Sequence, residues 1–451
     1  MAGQPGDEFE LGAQRMDRRA FLRRSSMLGF AVAGLLAACG SASSAPPATT
    51  ETSDSGGDAS TTPAGSAPST APSGEGGGIL TVGMEAAVPN MDPAQSLGLH
   101  SLRVSRLINE TLVTTEPDST AIVPLLAESW ESSSDGMEWT FALRQGVTFS
   151  DGSPFTAESV KQSFERAVFE SHPLYKTGAW SFITGYLAPL EEAVAVDDTT
   201  LTLRLQYPLA SLLSYLALPN LGIMSLQAMN ELGQEIATKP VGTGPYVLTR
   251  YDPGDTVELT RNESYRGTKG IPETIVFRPF PEAQARVAAL LSGDADVIIP
   301  VPPDSIEQIE NSGEATVVKQ PGLTSWYVSI NLSQPPLDNV KVRQALNYAV
   351  DKQAIVKDVL KDTGTIAQGP IPASSWAFNP SVPTYEYDPD RAKSLLEEAG
   401  LASGFSTVMW VPDSGSGMQE PKAMASVIQA NLAAVGVNVE LQVFEWGSYL
   451  G

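Results

Sequence analysis

A single cysteine stands in 451 residues, so no disulfide can form within the chain. Histidine is almost as scarce. His100 and His172 are the only two, which leaves no histidine-based metal cluster and no obvious general base. Positive charge is also short, with 28 Lys and Arg against 52 Asp and Glu, for a formal net charge of -24. A nucleic-acid partner needs a basic surface to meet its phosphates, so that class is excluded. The acidity itself reads as solubility, spread over loops and exposed helix faces. No apolar run reaches the 18 residues or so that a membrane-spanning helix requires. Catalytic spacings are missing as well. There is no Gly-x-Ser-x-Gly, no Ser-x-x-Lys, no His-Glu-x-x-His and no phosphate-binding loop. Gly242-Thr243-Gly244 is too short for a dinucleotide fingerprint. With no nucleophile–base pair, metal set or cofactor motif, the chain is not expected to be an enzyme.

What remains is an ordinary globular composition, 42% apolar and 18% charged, in a chain long enough for at least two lobes. The first forty residues carry the most specific local signal. Arg18-Arg19-Ala20-Phe21-Leu22-Arg23 is a twin-arginine pattern, followed by an apolar stretch from Met27 to Ala38. Twelve residues at about 1.5 Å each fall short of a hydrocarbon core of roughly 30 Å, so the stretch reads as a signal sequence. It closes in Leu36-Ala37-Ala38-Cys39-Gly40, which resembles the lipobox of bacterial lipoproteins. That resemblance implies cleavage before Cys39 and lipidation of its sulfur and amine, with several acyl chains holding stably where one would not. From Gly40 to Gly78 the chain is Ser, Thr, Ala, Pro and Gly with scattered acids, too polar to offset its ordering entropy. As a coil it would reach about 35 Å end to end, a tether for the body that follows.

Beyond Gly78, helical and strand periodicities alternate. Trp139, Phe141 and Leu143 share one face at period two, and Leu201–Tyr207 and Val437–Val443 alternate likewise, so three strands are expected. Thr156 is placed to cap a helix whose Val160, Phe164 and Val168 recur at i, i+4, i+8. Asp388-Pro389 opens another helix, closed by Gly400. Ala285–Leu291 should form a helix ending at Gly293 and passing into a strand over Ala295–Ile299. Asp151-Gly152 suits a tight hairpin with positive φ, and Gly242, Gly244 and Pro245 suit a close backbone crossing.

Several segments then recur in a recognisable order: Pro124–Trp130, Thr140–Val147, Phe149–Ala157, Pro240–Tyr246, Arg261–Tyr265, Val342–Lys352 and Tyr387–Lys393. Together, covering residues 80 to 446, they resemble the family 5 extracellular solute-binding proteins of ABC importers. That family includes the dipeptide- and oligopeptide-binding lipoproteins. The resemblance implies an α/β, two-lobe periplasmic-binding-protein type II fold with an extra subdomain inserted in lobe I. By analogy, residues 1–38 are signal peptide and 39–78 the lipidated Cys and linker. Lobe I takes 79–111 and 225–325, the insert 112–224, and lobe II 326–451.

A peptide ligand held between the lobes is expected, with delivery to ABC permease subunits and their ATPases. The protein should be a monomer on the outer face of the cytoplasmic membrane, touching it through its lipid alone. The resemblance assigns the ligand to Trp446, and to the backbone of Gly98 and Leu99 in a strand-addition manner. Tyr175, Trp326 and Tyr327 join them as aromatic walls. In peptide-binding relatives an Asp of a Trp-x-x-Asp segment, downstream of the position of Trp446, anchors the α-amino group. Since Gly451 ends the sequence, lobe II is expected to be incomplete, the sequence to be a fragment, and its peptide binding to be weak. Glutathione, a nickel chelate or an oligosaccharide is the alternative ligand within the family, and a receptor lipoprotein without transport the alternative role.

The lipidation reading has a direct check. Mature protein should partition with membranes, and Cys39→Ala should release it or block processing. Unchanged fractionation and migration of that variant would refute the anchor.

Overall fold

A computed structural model gives the fold and describes residues 77–450, except 97, 117–118, 176–182, 321, 323, 376 and 415–416. The twin-arginine segment, Cys39 and nearly all of the linker lie outside the described residues. Along the chain, β1 (Ile79–Met84) and α1 (Leu99–Ile108) come first. The short β2 (Val113–Thr115) and β3 (Ile122–Pro124) lead to β4 (Ala127–Ser132), β5 (Glu138–Leu143), α2 (Ala157–Val168), β6 (Leu190–Asp197) and β7 (Thr200–Leu205). Next come α3 (Leu226–Leu232), β8 (Tyr246–Tyr251), β9 (Val257–Arg261), β10 (Thr274–Pro279), α4 (Ala283–Ser292) and β11 (Val297–Ile299). The last part holds α5 (Val340–Ala349), α6 (Pro389–Glu398), β12 (Phe405–Pro412), α7 (Pro421–Ala434), β13 (Val437–Phe444) and α8 (Trp446–Leu450).

Three of the sheets have hydrophobic cores of their own. In the antiparallel sheet β4-β5-β7-β6, the alternation of β5 buries Phe141 and Leu143 and half-buries Trp139. Across the strands the hydroxyls of Thr140 and Thr202 meet at 3.1 Å. α2 covers this sheet. Its Thr156 cap and Ser159 satisfy each other's backbone N–H in a capping box, and Val160 and Phe164 are fully buried. Each such side chain stabilises the fold by about 1.5–3 kcal/mol.

The five-stranded sheet runs β11-β1-β10-β9-β8, with β1 parallel to both β10 and β11 and β9 antiparallel to its neighbours. The strand expected over Ala295–Ile299 begins only at Val297. Ala295 N–H is spent on the Ala289 carbonyl at the end of α4, and Asp296 pairs with Thr81 through both its backbone and its carboxylate. The C-terminal unit pairs β12 and β13 in parallel around α7, with α5 and α6 against them through Val342, Ala345, Leu395 and Leu396. Asp388 caps α6 by accepting from Arg391 N–H at 2.8 Å, with Pro389 in the first turn and Gly400 just beyond the last.

Two buried polar clusters knit the units together. Arg166 of α2 donates through both terminal nitrogens to Asp92, at 2.7 and 2.6 Å, and the side chains are 1% and 0% exposed. Glu110, just past α1, accepts from Thr243, Tyr265 and both ends of the Arg266 guanidinium. Gly242 and Gly244 pass so close to the Ile108 carbonyl that a Cβ at either position would overlap it. The hairpin at Asp151-Gly152 has its positive φ of 84° at Gly152, and Asp151 reaches Ser225 at the cap of α3. The segment from Met224 to Ile236 packs with Leu174, so α3 leans toward α2 rather than onto the five-stranded sheet.

Replacing Arg166 by Met leaves Asp92 a buried carboxylate without its cation. Breaking such a pair costs about 3–5 kcal/mol. Urea unfolding should show a correspondingly lower midpoint, and a midpoint within 0.5 kcal/mol of the parent would overturn this view of the pair.

Candidate functional site

Parallel sheets place ligands beyond the carboxyl ends of their strands. Two such sets of ends meet here. β1 ends at Met84, and Glu85 directly after it holds Arg103, one turn into α1. Leu99, the first residue of α1, lies against the backbone of Gly417, where a Cβ would stand 2.8 Å from Leu99 Cδ1. Gly417 belongs to the loop following β12, and Asp413 N–H in that loop donates to Phe444 O at the end of β13. Two further contacts close the same seam: Lys361 Nζ to Asp304 at 3.6 Å, and Ser374 Oγ donating to Gly322 O at 3.2 Å.

The residues singled out from the sequence are placed unevenly. Gly98 is the buried N-cap of α1, with φ -120° and ψ 148°. Its carbonyl accepts from Leu102 N–H, and a Cβ there would run into the His100 ring. The extended chain therefore stops at Gly98, and Leu99 faces the seam with its side chain. Trp446 opens α8 directly beyond β13 and stacks on Tyr449 at 6.0 Å and 16°. Its indole Nε1 is buried and has no acceptor among the described residues. Trp326 packs on the C-terminal core, and its Nε1 is likewise buried without an acceptor. Tyr327 is 57% exposed. Tyr175 packs on the core of the four-stranded sheet, in the turn where its N–H donates to His172 O.

Buried polar groups in folded proteins nearly always have partners, so two indole donors without an acceptor among the described residues stand out. The Glu110 cluster is different. Its carboxylate is saturated, and the pocket beside it, lined by Gly146, Thr148, Thr243 and Arg266, has about 30 Å³, room for one water. Burial, and then the Glu110 charge, push the Tyr265 hydroxyl up to about 12, so it stays a donor. These motif residues fold the chain.

The architecture is that of the mixed α/β periplasmic binding proteins of type II. The chain belongs to the bacterial extracellular solute-binding proteins, family 5, whose middle region matches residues 121–450. It is 36% identical over 362 residues to the dipeptide-binding protein of Escherichia coli strain K12, covering 77% of this chain and 67% of that one. Heme-binding protein A of Haemophilus influenzae is 35% identical over 361 residues, covering 76% and 66%. The chain thus spans about two thirds of the length of these curated relatives. Among solved structures, the periplasmic binding protein DppA of Helicobacter pylori in complex with the peptide STSA superposes with a TM-score of 0.75 at 32% identity, covering 83% of this chain and 75% of that one. These relatives are binding proteins, not enzymes. Among the described residues no helix is long and apolar enough to cross a membrane.

Sequence reasoning passed over the charged side of the seam. Glu85, His100 and Arg103 interact there, yet no motif announces them. The signal was the spacing of Leu99, Arg103 and Arg106 at i, i+4 and i+7, one face of a helix.

Both histidines are held below the usual imidazole range, first by burial. At His100 the Glu85 charge opposes this and Arg103 adds to it, while at His172 Arg166 adds to it. His172 is also tied down as a neutral ring, with Nε2 2.6 Å from Gln162 Oε1 and Nδ1 accepting from Leu174 N–H. The unfolded chain therefore takes up these protons first, at about pH 6.5. Stability should be unaffected by them above that pH and should be lost as the pH falls through it. Urea midpoints from pH 8 to 5 check this: His100→Gln should flatten the acid limb, and an identical limb would rule His100 out.

Proposed function

We propose that the chain is the capture component of an ABC importer, that its ligand is a peptide, and that the seam between the units is the cleft that closes on it. The carrying observation is the pair of buried indole N–H groups, Trp326 and Trp446, with no acceptor among the described residues. A peptide backbone supplies carbonyl acceptors, and aromatic walls suit side chains of varied shape. Family membership supports the same reading, as does the likeness to a dipeptide-binding protein and to a structure holding a peptide. In this reading residues 79–111 and 225–325 form lobe I, 112–224 an inserted subdomain, and 326–451 lie in lobe II. Gly98, Leu99, Trp326, Tyr327 and Trp446 belong to the cleft, with Tyr175 at its margin.

Hinge closure buries the ligand and creates the surface that the permease and its ATPases recognise. The ligand moves that equilibrium only through contacts made better in the closed form, which is the part the two indoles play. Acyl chains on Cys39 keep the protein at the outer face of the membrane, with the linker as tether.

Calorimetry on protein expressed from its complete gene tests the reading. Peptides should bind, Trp446→Ala should weaken them about tenfold or more, and mass spectrometry should recover every peptide intact. Equal binding by Trp446→Ala, or turnover of any peptide, would contradict it.

A further inference from the structure

In a chain with almost twice as many acids as bases, α1 carries no acid at all. Its sequence, Leu-His-Ser-Leu-Arg-Val-Ser-Arg-Leu-Ile, sets Leu99, Arg103 and Arg106 on one face, with His100 one turn before Arg103. Leu99 lies against Gly417, so this face begins at the seam. His100 is 9% exposed, its ring makes no hydrogen bond among the described residues, and its Nδ1 is fully buried. Arg103, 11% exposed in its side chain, spends one terminal nitrogen on Glu85, at 3.0 and 2.8 Å. Its other two nitrogens meet no acceptor among the described residues. Arg106 is half-buried and has no ion pair or hydrogen bond among them. Burial holds its guanidinium below the usual arginine range.

Arg286 of α4 lies within electrostatic reach of Glu85 and Arg103, and it does not neutralise the group. It is buried and spent on the backbone carbonyls of Phe280, Pro281 and Pro300. Arg103 and Arg286 thus share a single carboxylate in a poorly hydrated place, and Arg106 stands on the Arg103 face of α1 without it. An unpaired buried cation is costly to hold. Such a cost persists where the missing anion comes with function, and guanidinium pairs with carboxylate through two parallel hydrogen bonds.

We infer that His100, Arg103 and Arg106 form an anion-accepting wall of the cleft, which selects ligands carrying a carboxylate placed against α1. This rests on the peptide reading above and narrows it to ligands whose charge, at the C-terminus or on an acidic side chain, reaches that wall.

Three tripeptides test it by calorimetry on the protein from its complete gene: Ala-Glu-Ala, Ala-Gln-Ala, and Ala-Gln-Ala with an amidated C-terminus. Removing one of the two carboxylates should weaken binding about tenfold or more, and which removal does so identifies the source. In Arg106→Gln that discrimination should disappear, while the weaker peptide of the pair keeps its affinity. Because Arg106 has no protein partner, its replacement should leave the thermal midpoint unchanged or raise it. Equal binding of all three peptides by the parent overturns the inference and leaves peptide capture standing. Discrimination retained in Arg106→Gln overturns it too, as does a midpoint lowered by several degrees, which would reveal a structural role. Failure of all three to bind the parent removes the peptide reading and this inference together.

Discussion

Two charges that never meet water, Asp92 and Arg166, fix the chain where it approaches α1. Taking each ion out of water costs several kcal/mol, repaid only by close and saturated geometry. Such geometry is present at the carboxylate. Both carboxylate oxygens take a guanidinium nitrogen, and the same oxygens accept from Ala94 N–H and from the Gln95 amide. Asn220 adds two donations, to the carbonyls of Pro93 and Ser96. The short turn at Pro93–Gln95 is thereby fixed to α2, and a few residues on the chain enters α1 at Gly98. The angle at which Leu99 and Arg103 meet the seam follows from that anchorage.

Glu110 does comparable work at the other end of α1, and here the recognisable motifs prove to be fastenings. Thr243 comes from the Gly-Thr-Gly turn, Tyr265 from the Asn-Glu-Ser-Tyr segment, and both converge on one carboxylate. Gly242 and Gly244 serve by having no side chain where the Ile108 carbonyl crosses. Trp326, Trp446 and His100, whose buried ring nitrogens lack partners among the described residues, lie outside these turns.

Elements governed by local periodicity were legible in the sequence. The alternation of Trp139, Phe141 and Leu143, the capped helix after Thr156 and the Asp388-Pro389 start of α6 depend on neighbours within a few residues. The helix after Ala283 was legible too, whereas the strand after it began two residues late because Asp296 answers to Thr81. The Asp92–Arg166 pair was invisible for a similar reason: the partners stand 74 positions apart, and neither has a telling local context. Of the proposed site, the family resemblance supplied Trp446 and Gly98, while Arg103 and Arg106 required knowing which face of α1 lies toward Gly417. Tyr175, expected from the sequence as a cleft aromatic, packs partly buried against the core of the four-stranded sheet.

The path of the chain between Glu110 and Ile223 bears on how the molecule assembles. Ile223 N–H donates to Glu110 O at 2.8 Å, so this stretch leaves the first unit and returns to it at one point. Ile79 must nevertheless find Thr274 to complete β1 against β10. Closing so long a loop as a free coil is slow, because its entropy must be spent before any contact rewards it. Once the four-stranded sheet has formed around Phe141, Phe164 and Leu201, its two ends are held side by side and the remaining search involves only the chain outside it. The unit inserted between Glu110 and Ile223 would then fold first, acting as a template that brings the two halves of the five-stranded sheet into reach of each other.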